Sequence, residues 1–416
     1  MKQTKPSLNV QILVAAVGGI FFGFCLSKIG IENPFAAKAL YLSGLIGGIF
    51  VSLLKMILIP LVFSSITVGI ANLRAHAQMQ KVWRYTLIYF MTTTALAVML
   101  GLGAVNIFKP RAGLQIFMFE ESMAGHALAQ SLTIPQFIEN FLSQLFLNPF
   151  QAMAEGQILP TIMFALFLGI ALVVAGDTKA KTVLNLLSEF FELIMIIVGW
   201  IMNALPVGIF CLLTKLVATQ DPALFAALGK FIAVVIGTTL FHGFVTLPFI
   251  LVLFGRISLK SYYSGVKEAL ITALSTSSSS ATLPITYRCL TENLKVNKDV
   301  TGFVLPLGAT INMDGTALYE AVAALFIANL AGIELNMLQQ MIVFFMAILA
   351  SIGAPGIPSA GMVTMVMVLQ SVGLPVEGIA ILLPIDRLLD AIRTMVNVKG
   401  DTVGSIVVDR LTSSKK

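Results

Sequence analysis

The stretch Pro384-Ile385-Asp386-Arg387-Leu388-Leu389-Asp390-Ala391-Ile392-Arg393-Thr394-Met395-Val396-Asn397-Val398-Lys399-Gly400-Asp401 decides the fold. Asp386, Asp390, Arg393, Thr394, Asn397 and Asp401 stand at i, i+4, i+7, i+8, i+11 and i+15. At about 100° per residue they share an arc of roughly 100° on a helix whose remaining surface is apolar. On a soluble helix such a face looks at water. In a bilayer each charge near the centre costs on the order of 2.5 to 3.5 kcal/mol, so the face must look at protein, a cavity or a ligand.

The rest of the chain makes the bilayer the solvent. Of 416 residues, 57% are hydrophobic and 11% charged, far from a soluble domain's mixture. Near-continuous apolar runs cover residues 10–27, 39–70, 85–108, 157–175, 183–218, 223–254, 299–331, 337–371 and 374–398. Several exceed the ~20 residues a simple span needs, which implies tilt, kinks or re-entrant segments. Cys25, Cys211 and Cys289 are scattered and form neither a disulfide framework nor a zinc motif. His76, His126 and His242 stand isolated, with no second ligand at helical spacing. Lys2 and Lys5 precede an apolar run with no cleavage site after it, which reads as a first span. With both termini cytoplasmic, most of the 26 Lys and Arg fall on inner segments, the positive-inside bias of a multi-pass protein of the cell (inner) membrane. The net charge of +6 then reflects topology and a negative inner leaflet, with no nucleic-acid partner.

Polar interruptions mark where such a chain does its chemistry. Thr92, Thr93 and Thr94 lie inside a span and fit either hydroxyl-to-backbone bonds or a cation site. Residues Lys109 to Asn148 are less apolar and read as lying along the outer membrane surface. The run Ser275-Thr276-Ser277-Ser278-Ser279-Ser280 between two apolar segments reads as the tip of a re-entrant hairpin, because non-helical backbone survives in hydrocarbon only where protein or a watery cavity satisfies it. Its amides and hydroxyls suit an anion. A second break, Ala350 to Gly361, contains two prolines and three glycines. Between them, Gly308-Ala309-Thr310-Ile311-Asn312-Met313-Asp314-Gly315-Thr316 interrupts a span; an unwound turn exposes carbonyl oxygens, and with a carboxylate these are hard ligands for a small alkali cation. Paired broken segments are the mark of an inverted-repeat transporter binding near the midplane.

The serine tip, the Asn312 to Thr316 motif, the Gly/Pro break and the Asp390 to Asp401 pattern, in this order, resemble the dicarboxylate/amino acid:cation symporters that include glutamate and aspartate transporters. The resemblance spans nearly the whole chain. It implies an all-α membrane protein of eight transmembrane helices and two re-entrant hairpins, built from inverted repeats and assembled as a homotrimer. Residues 1–81 (helices 1 and 2) and 111–220 (helices 4 and 5) would form a scaffold in contact with lipid. Residues 82–110 (helix 3) and 221–416 (helices 6 to 8 and both hairpins) would form a transport unit that moves like an elevator. In that pattern Arg393 pairs with the substrate's side-chain carboxylate, Asp390 with its amino group, and Asn397 and Ser279 with its α-carboxylate. Ser277, Ser278, Thr316, Ile357, Gly361 and Thr394 complete the pocket. Three sodium ions are implied: one at Gly308, Asn312, Asn397 and Asp401; one at backbone oxygens of Thr310, Ser351, Ile352 and Ala354; one at Tyr89, Thr92, Thr93, Asn312 and Asp314. One departure concerns arginines: archaeal members carry one at the head of the serine run and animal members one just after the substrate aspartate, where this chain has Ser277 and Ala391.

The residue chemistry agrees with these roles. A guanidinium receives a carboxylate bidentately, and a carboxylate suits an ammonium. Asp314, Asp390, Asp401 and Arg393 carry two net negative charges, which an acidic amino acid and three sodium ions bring to zero, with Asp386 matched by the adjacent Arg387. Glu320 follows Thr316 by one helical turn. A lone carboxyl in hydrocarbon resists ionisation and is a natural proton carrier, and the animal glutamate transporters that this chain resembles have Glu there, so H+ joins the expected cargo. No G-x-S-x-G elbow points to an enzyme, and an ion channel needs no Arg and Asp poised for a zwitterion. A C4-dicarboxylate:cation symporter of the same fold is the alternative, against which Asp390 argues.

Overall fold

A computed structural model describes residues 8–72, 80–109, 146–219, 222–354 and 360–413, and no strand occurs among them. The first elements are α1 (Leu8–Ile29), α2 (Pro34–Asn72, with Pro60 inside) and α3 (Gln80–Phe108). Short α4 (Pro149–Ala154) is capped by Asn148, whose side chain accepts from the amides of Phe150 and Gln151. Helices α5 (Ile158–Ala175), α6 (Asp177–Asn203) and α7 (Leu205–Thr219) follow. The apolar run 183–218 is thus two helices separated at Ala204, because Pro206 has no N–H and its ring crowds the carbonyl four residues back. Helix α8 (Pro222–Phe241) continues to Gly255 through two π turns, His242–Thr246 and Leu251–Gly255. Pro248 lies between them and cannot donate to the preceding turn.

The remaining elements are α9 (Leu259–Thr276), α10 (Ser279–Arg288), α11 (Lys298–Ile311), α12 (Asp314–Leu330), α13 (Met337–Gly353), α14 (Ala360–Ser371) and α15 (Ile379–Ser413). The last apolar run therefore continues well past residue 398 as one helix. Among the described residues six segments are long and apolar enough to cross a bilayer: Val10–Ile29, Pro34–Ala71, Lys81–Phe108, Lys179–Asn203, Leu224–Gly255 and Lys298–Leu330. Helix α15 is not one of them, because its buried charges break every long apolar window.

Packing sorts these helices into two groups. Helix α1 lies along α7, and α2 along α5, α6 and α7. In the second group α12 packs on α3, α8, α13 and α15, while α15 also packs on α9 and α11. Helices α9 and α10 pack on each other, as do α13 and α14. Between the groups, α2 touches α13 and α14, and α7 touches α15. Lys55 Nζ on α2 also lies 3.0 Å from Glu377 Oε1 in the turn before α15. At the axis of the second group, sixteen of the seventeen α12 residues are buried, five of them alanines that let neighbours approach closely.

Candidate functional site

The polar arc of α15 is buried throughout: Asp386, Asp390, Arg393, Thr394, Asn397 and Asp401 are each at most 5% exposed. Arg393 Nη2 lies 2.7 Å from Asp386 Oδ1 and 3.0 Å from Asp390 Oδ1, while Arg387 Nη1 is 3.5 Å from Asp390 Oδ2. Asp386 is thus held by Arg393, a different arrangement from the expected match to the neighbouring Arg387. The Arg393 guanidinium carbon stands 3.9 Å from the centre of the Tyr319 ring, which leaves the charge sandwiched against a π face. Tyr319 is fixed in turn by its hydroxyl, which donates to Met362 Sδ at 3.3 Å. Among the described residues the Nε and Nη1 donors of Arg393 are buried without a partner. Buried donors of a charged group are costly to leave unmade, and this edge can take an acceptor.

That edge is flanked by the expected pocket residues. A Cβ at Gly361 would sit 3.0 Å from Thr316 Cγ2 and 3.8 Å from Arg393 Nη1. Asn397 donates to Thr316 Oγ1 at 3.2 Å and accepts from the Gly315 amide at 2.8 Å. Gly315 must be glycine, since a Cβ there would come 2.8 Å from the Arg393 carbonyl oxygen. Ser277, Ser278 and Ser279 are buried where α9 ends and α10, which packs on α15, begins. Ser277 adopts a left-handed φ of 51°, and the Ser278 hydroxyl caps α10 through the Ala281 amide. Ile357 lies outside the described residues, as do His76, His126 and most of the segment 109–148.

A second network begins where the chain unwinds between α11 and α12, at Asn312 (ψ 72°) and Met313 (ψ 62°). Asn312 Nδ2 donates to Asp401 Oδ1 at 3.0 Å. Asp314 Oδ1 accepts from Thr94 at 2.8 Å and Thr93 at 3.3 Å. The Tyr89 hydroxyl donates to the Gly400 carbonyl at 3.1 Å. Five expected ion-site residues, Tyr89, Thr93, Asn312, Asp314 and Asp401, therefore share one buried cluster on α3, α12, α15 and the unwound turn. Gly308 abuts it: a Cβ there would fall 2.6 Å from Asp401 Cγ and 3.2 Å from Phe90 Cζ. Gly308→Ala is accordingly expected to displace the Asp401 carboxylate and destabilise the fold by roughly 1 to 3 kcal/mol, read as a lower midpoint in thermal unfolding.

Other expected ligands are placed differently. Thr92 is exposed and its hydroxyl bonds back to the Ile88 carbonyl at 2.7 Å, so Thr94 supplies the second hydroxyl on Asp314. Thr310 is exposed and bonds back to Leu307 at 3.0 Å. Ser351 is buried with its hydroxyl on Ile348, and Ile352 and Ala354 close α13. Helices α11 and α13 touch, which brings the backbone of Thr310 and of Ser351 to Ala354 onto adjoining elements. Glu320 is fully buried. Its Oε1 accepts from the Thr364 hydroxyl on α14, and Oε2 has no hydrogen-bond partner among the described residues.

Two contributors were invisible in the sequence. His242, read as isolated, is buried in a π turn with Nε2 3.0 Å from Asp314 Oδ2; a π turn re-registers the helix locally, and no spacing pattern links residues 72 apart. Lys399, absent from the charge count above, is 0% exposed on α15. Its ammonium lies 4.0 Å from the Phe244 ring centre and 4.3 Å from that of Tyr263, whose hydroxyl it also meets.

Excitatory amino acid transporter 2 of Homo sapiens is 34% identical to this chain, over 99% of this chain and 80% of its own length. Excitatory amino acid transporter 3 of Homo sapiens is 36% identical, over 98% and 86%. An excitatory amino acid transporter of Caenorhabditis elegans is 36% identical, over 97% and 87%. The family model of the sodium:dicarboxylate symporters matches residues 8–411, nearly the whole length, and the chain belongs to the sodium:dicarboxylate symporter family.

Proposed function

We propose that this protein imports an acidic amino acid, glutamate or aspartate, together with sodium ions and a proton. The observation that carries this reading is the unpartnered Nε and Nη1 edge of Arg393, buried beside Gly361 and Thr316. A carboxylate is the ligand that a guanidinium edge selects. Asp390 and Asn397, on the same face of α15, offer an acceptor to an ammonium and a donor to a second carboxylate. The cluster at Asp314 and Asp401 offers carboxylate, carbonyl and hydroxyl oxygens, a hard donor set suited to sodium. Sodium is cargo here: each ion entering down its gradient offsets substrate charge and supplies driving force, about 2.3 kcal/mol per charge per 100 mV.

In this reading the chain sits in the inner membrane with both termini cytoplasmic, as a homotrimer in lipid. It has eight spans, with α9–α10 and α13–α14 as re-entrant hairpins. The group containing α1, α2 and α5 to α7 stays fixed, and the group built on α12 and α15 slides across the bilayer with substrate and about three ions, the number that the family resemblance implies. The test is saturable, sodium-driven uptake of labelled glutamate and aspartate into proteoliposomes. Uptake of malate or succinate with no uptake of either amino acid would replace this substrate with a C4-dicarboxylate.

Glu320 extends the reading to the proton. With one oxygen accepting from Thr364 and the other without a hydrogen-bond partner among the described residues, this buried carboxyl is placed to carry a proton. If that proton enters with substrate, uptake slows as external pH rises. Glu320→Gln, which keeps a neutral group of the same shape, is expected to flatten that dependence and retain sodium-dependent substrate binding. Uptake measured across external pH with an internal pH dye checks it; an unchanged pH profile in the variant, or wild-type uptake with no acidification inside, makes Glu320 a structural carboxyl.

A further inference from the structure

Lys399 has no role in the site above, yet it is a fully buried lysine in the middle of the polar helix α15. Its side chain leaves α15 two residues, about 200°, away from Asn397 and Asp401, on the face turned from the ion cluster. There it meets rings: Phe244 of the α8 π turn at 4.0 Å, and Tyr263 and Tyr262 of α9 at 4.3 and 6.0 Å. The Phe244 and Tyr263 rings are within 9° of parallel. The Tyr263 hydroxyl accepts from the ammonium, and Tyr262 is held by Thr402 at 2.6 Å. No carboxylate pairs with Lys399 among the described residues. Electron-rich faces with one oxygen acceptor stabilise a cation and would do little for a neutral amine. Helices α8 and α9 each pack on α15, so lysine and cage belong to the same group of helices.

We propose that Lys399 is a tethered cation of the moving unit, whose fixed charge divides the burden of crossing hydrocarbon between the loaded and the empty steps. This rests on the sodium-coupled reading given above. With histidine counted as neutral, the unit's buried aspartates, Asp314, Asp386, Asp390 and Asp401, outnumber Arg387 and Arg393 by two. Without Lys399 the empty unit carries two negative charges, and one loaded with an acidic amino acid and three sodium ions carries none. With Lys399 the empty unit carries one negative and the loaded unit one positive. The charge moved per cycle is the same in both cases. The cost of placing charge in a low-dielectric medium rises with its square, so two single charges cross more easily than one double charge. Release of a proton from Glu320 on the inner side adds one negative charge to the empty unit either way, which enlarges the benefit.

The inference separates two measurements on proteoliposomes. Homoexchange of labelled aspartate, with saturating sodium and aspartate on both sides, uses only the loaded step; net uptake also needs the empty return. Lys399→Met keeps an apolar stem over the rings and removes the charge. It makes the loaded unit neutral and the empty unit doubly negative, so exchange is expected to be at least as fast as wild type, and net uptake at zero membrane potential lower by on the order of tenfold. The deficit should shrink as the interior is made negative, which drives the more negative empty unit outward. Lys399→Gln should behave as Lys399→Met does, and Lys399→Arg as wild type; sodium-dependent aspartate binding in each verifies the fold. Equal loss of exchange and net uptake, a deficit indifferent to potential, loss of binding in both neutral variants, or failure of arginine to restore net uptake would make Lys399 a packing element and overturn the proposal. A wild-type protein with no sodium-driven uptake is a different result, and it removes the transport reading itself.

Discussion

Arg393→Cys is expected to reduce glutamate and aspartate uptake by at least about a hundredfold and to admit neutral amino acids in their place. The guanidinium supplies the only buried pair of unpartnered cationic donors among the described residues, and truncating one side of a buried charge pair costs roughly 2 to 5 kcal/mol. The neutral space left beside Gly361 and Thr316, with Asp390 and Asn397 intact, still suits an α-amino acid. A complication follows from the geometry. Arg393 also holds Asp386 and Asp390, so the variant leaves two buried carboxylates without their main cation, and part of its loss comes from the fold. Arg393→Lys separates the effects, since it keeps the charge but lacks the planar fork. It should retain normal thermal stability and lose most acidic uptake. Undiminished aspartate uptake in Arg393→Cys would remove Arg393 from the substrate site.

The second large effect is expected at the cluster of Asp314 and Asp401. Asp401→Asn and Asp314→Asn should each raise the sodium concentration needed for half-maximal aspartate binding by about tenfold or more, because ion and substrate affinities are reciprocally linked. Asp314→Asn is the more severe of the two. Its carboxylate accepts from Thr93, Thr94 and His242 together, and an amide turns one of its two acceptor oxygens into a donor facing other donors. Asp401 accepts from the Asn312 side chain. Aspartate binding titrated with sodium at several substrate concentrations reads both variants. Wild-type steepness in either would mean that the ions bind elsewhere.

Helices and their breaks were legible because they are local. The arc on α15 follows from spacing alone, the unwound Asn312 and Met313 from a polar interruption in a span, and the start of α10 from a serine run. What escaped is what other elements bring. His242 reaches Asp314 across 72 residues, Thr94 across 220, and Thr364 reaches Glu320 across 44. The choice between Thr92 and Thr94 turns on the rotation of α3 against α12, which three consecutive hydroxyls leave open. Tyr319 beneath Arg393 and the rings around Lys399 are apolar letters in apolar runs, with nothing in their neighbours to mark them. Pairing was hardest of all: adjacency suggested that Arg387 matches Asp386, whereas side chains on a helix meet at three, four or seven residues, as Arg393 does.

Helix α12 has almost no side that faces outward, and this bears on how such a sequence can change over time. At Ala317, Ala321, Ala323, Ala324 or Ala328 even one added methylene meets packed neighbours, at roughly 1 to 3 kcal/mol, a large part of a small net stability. Helix α1, by contrast, turns Leu13, Val14, Val17 and Phe21 outward, where one apolar letter serves as well as another. Drift is thereby confined to the circumference. A lineage moving to a bilayer of different thickness or stiffness can rewrite its rim, and it inherits the axis, with Asp314, Thr316 and Glu320 strung along it, unedited.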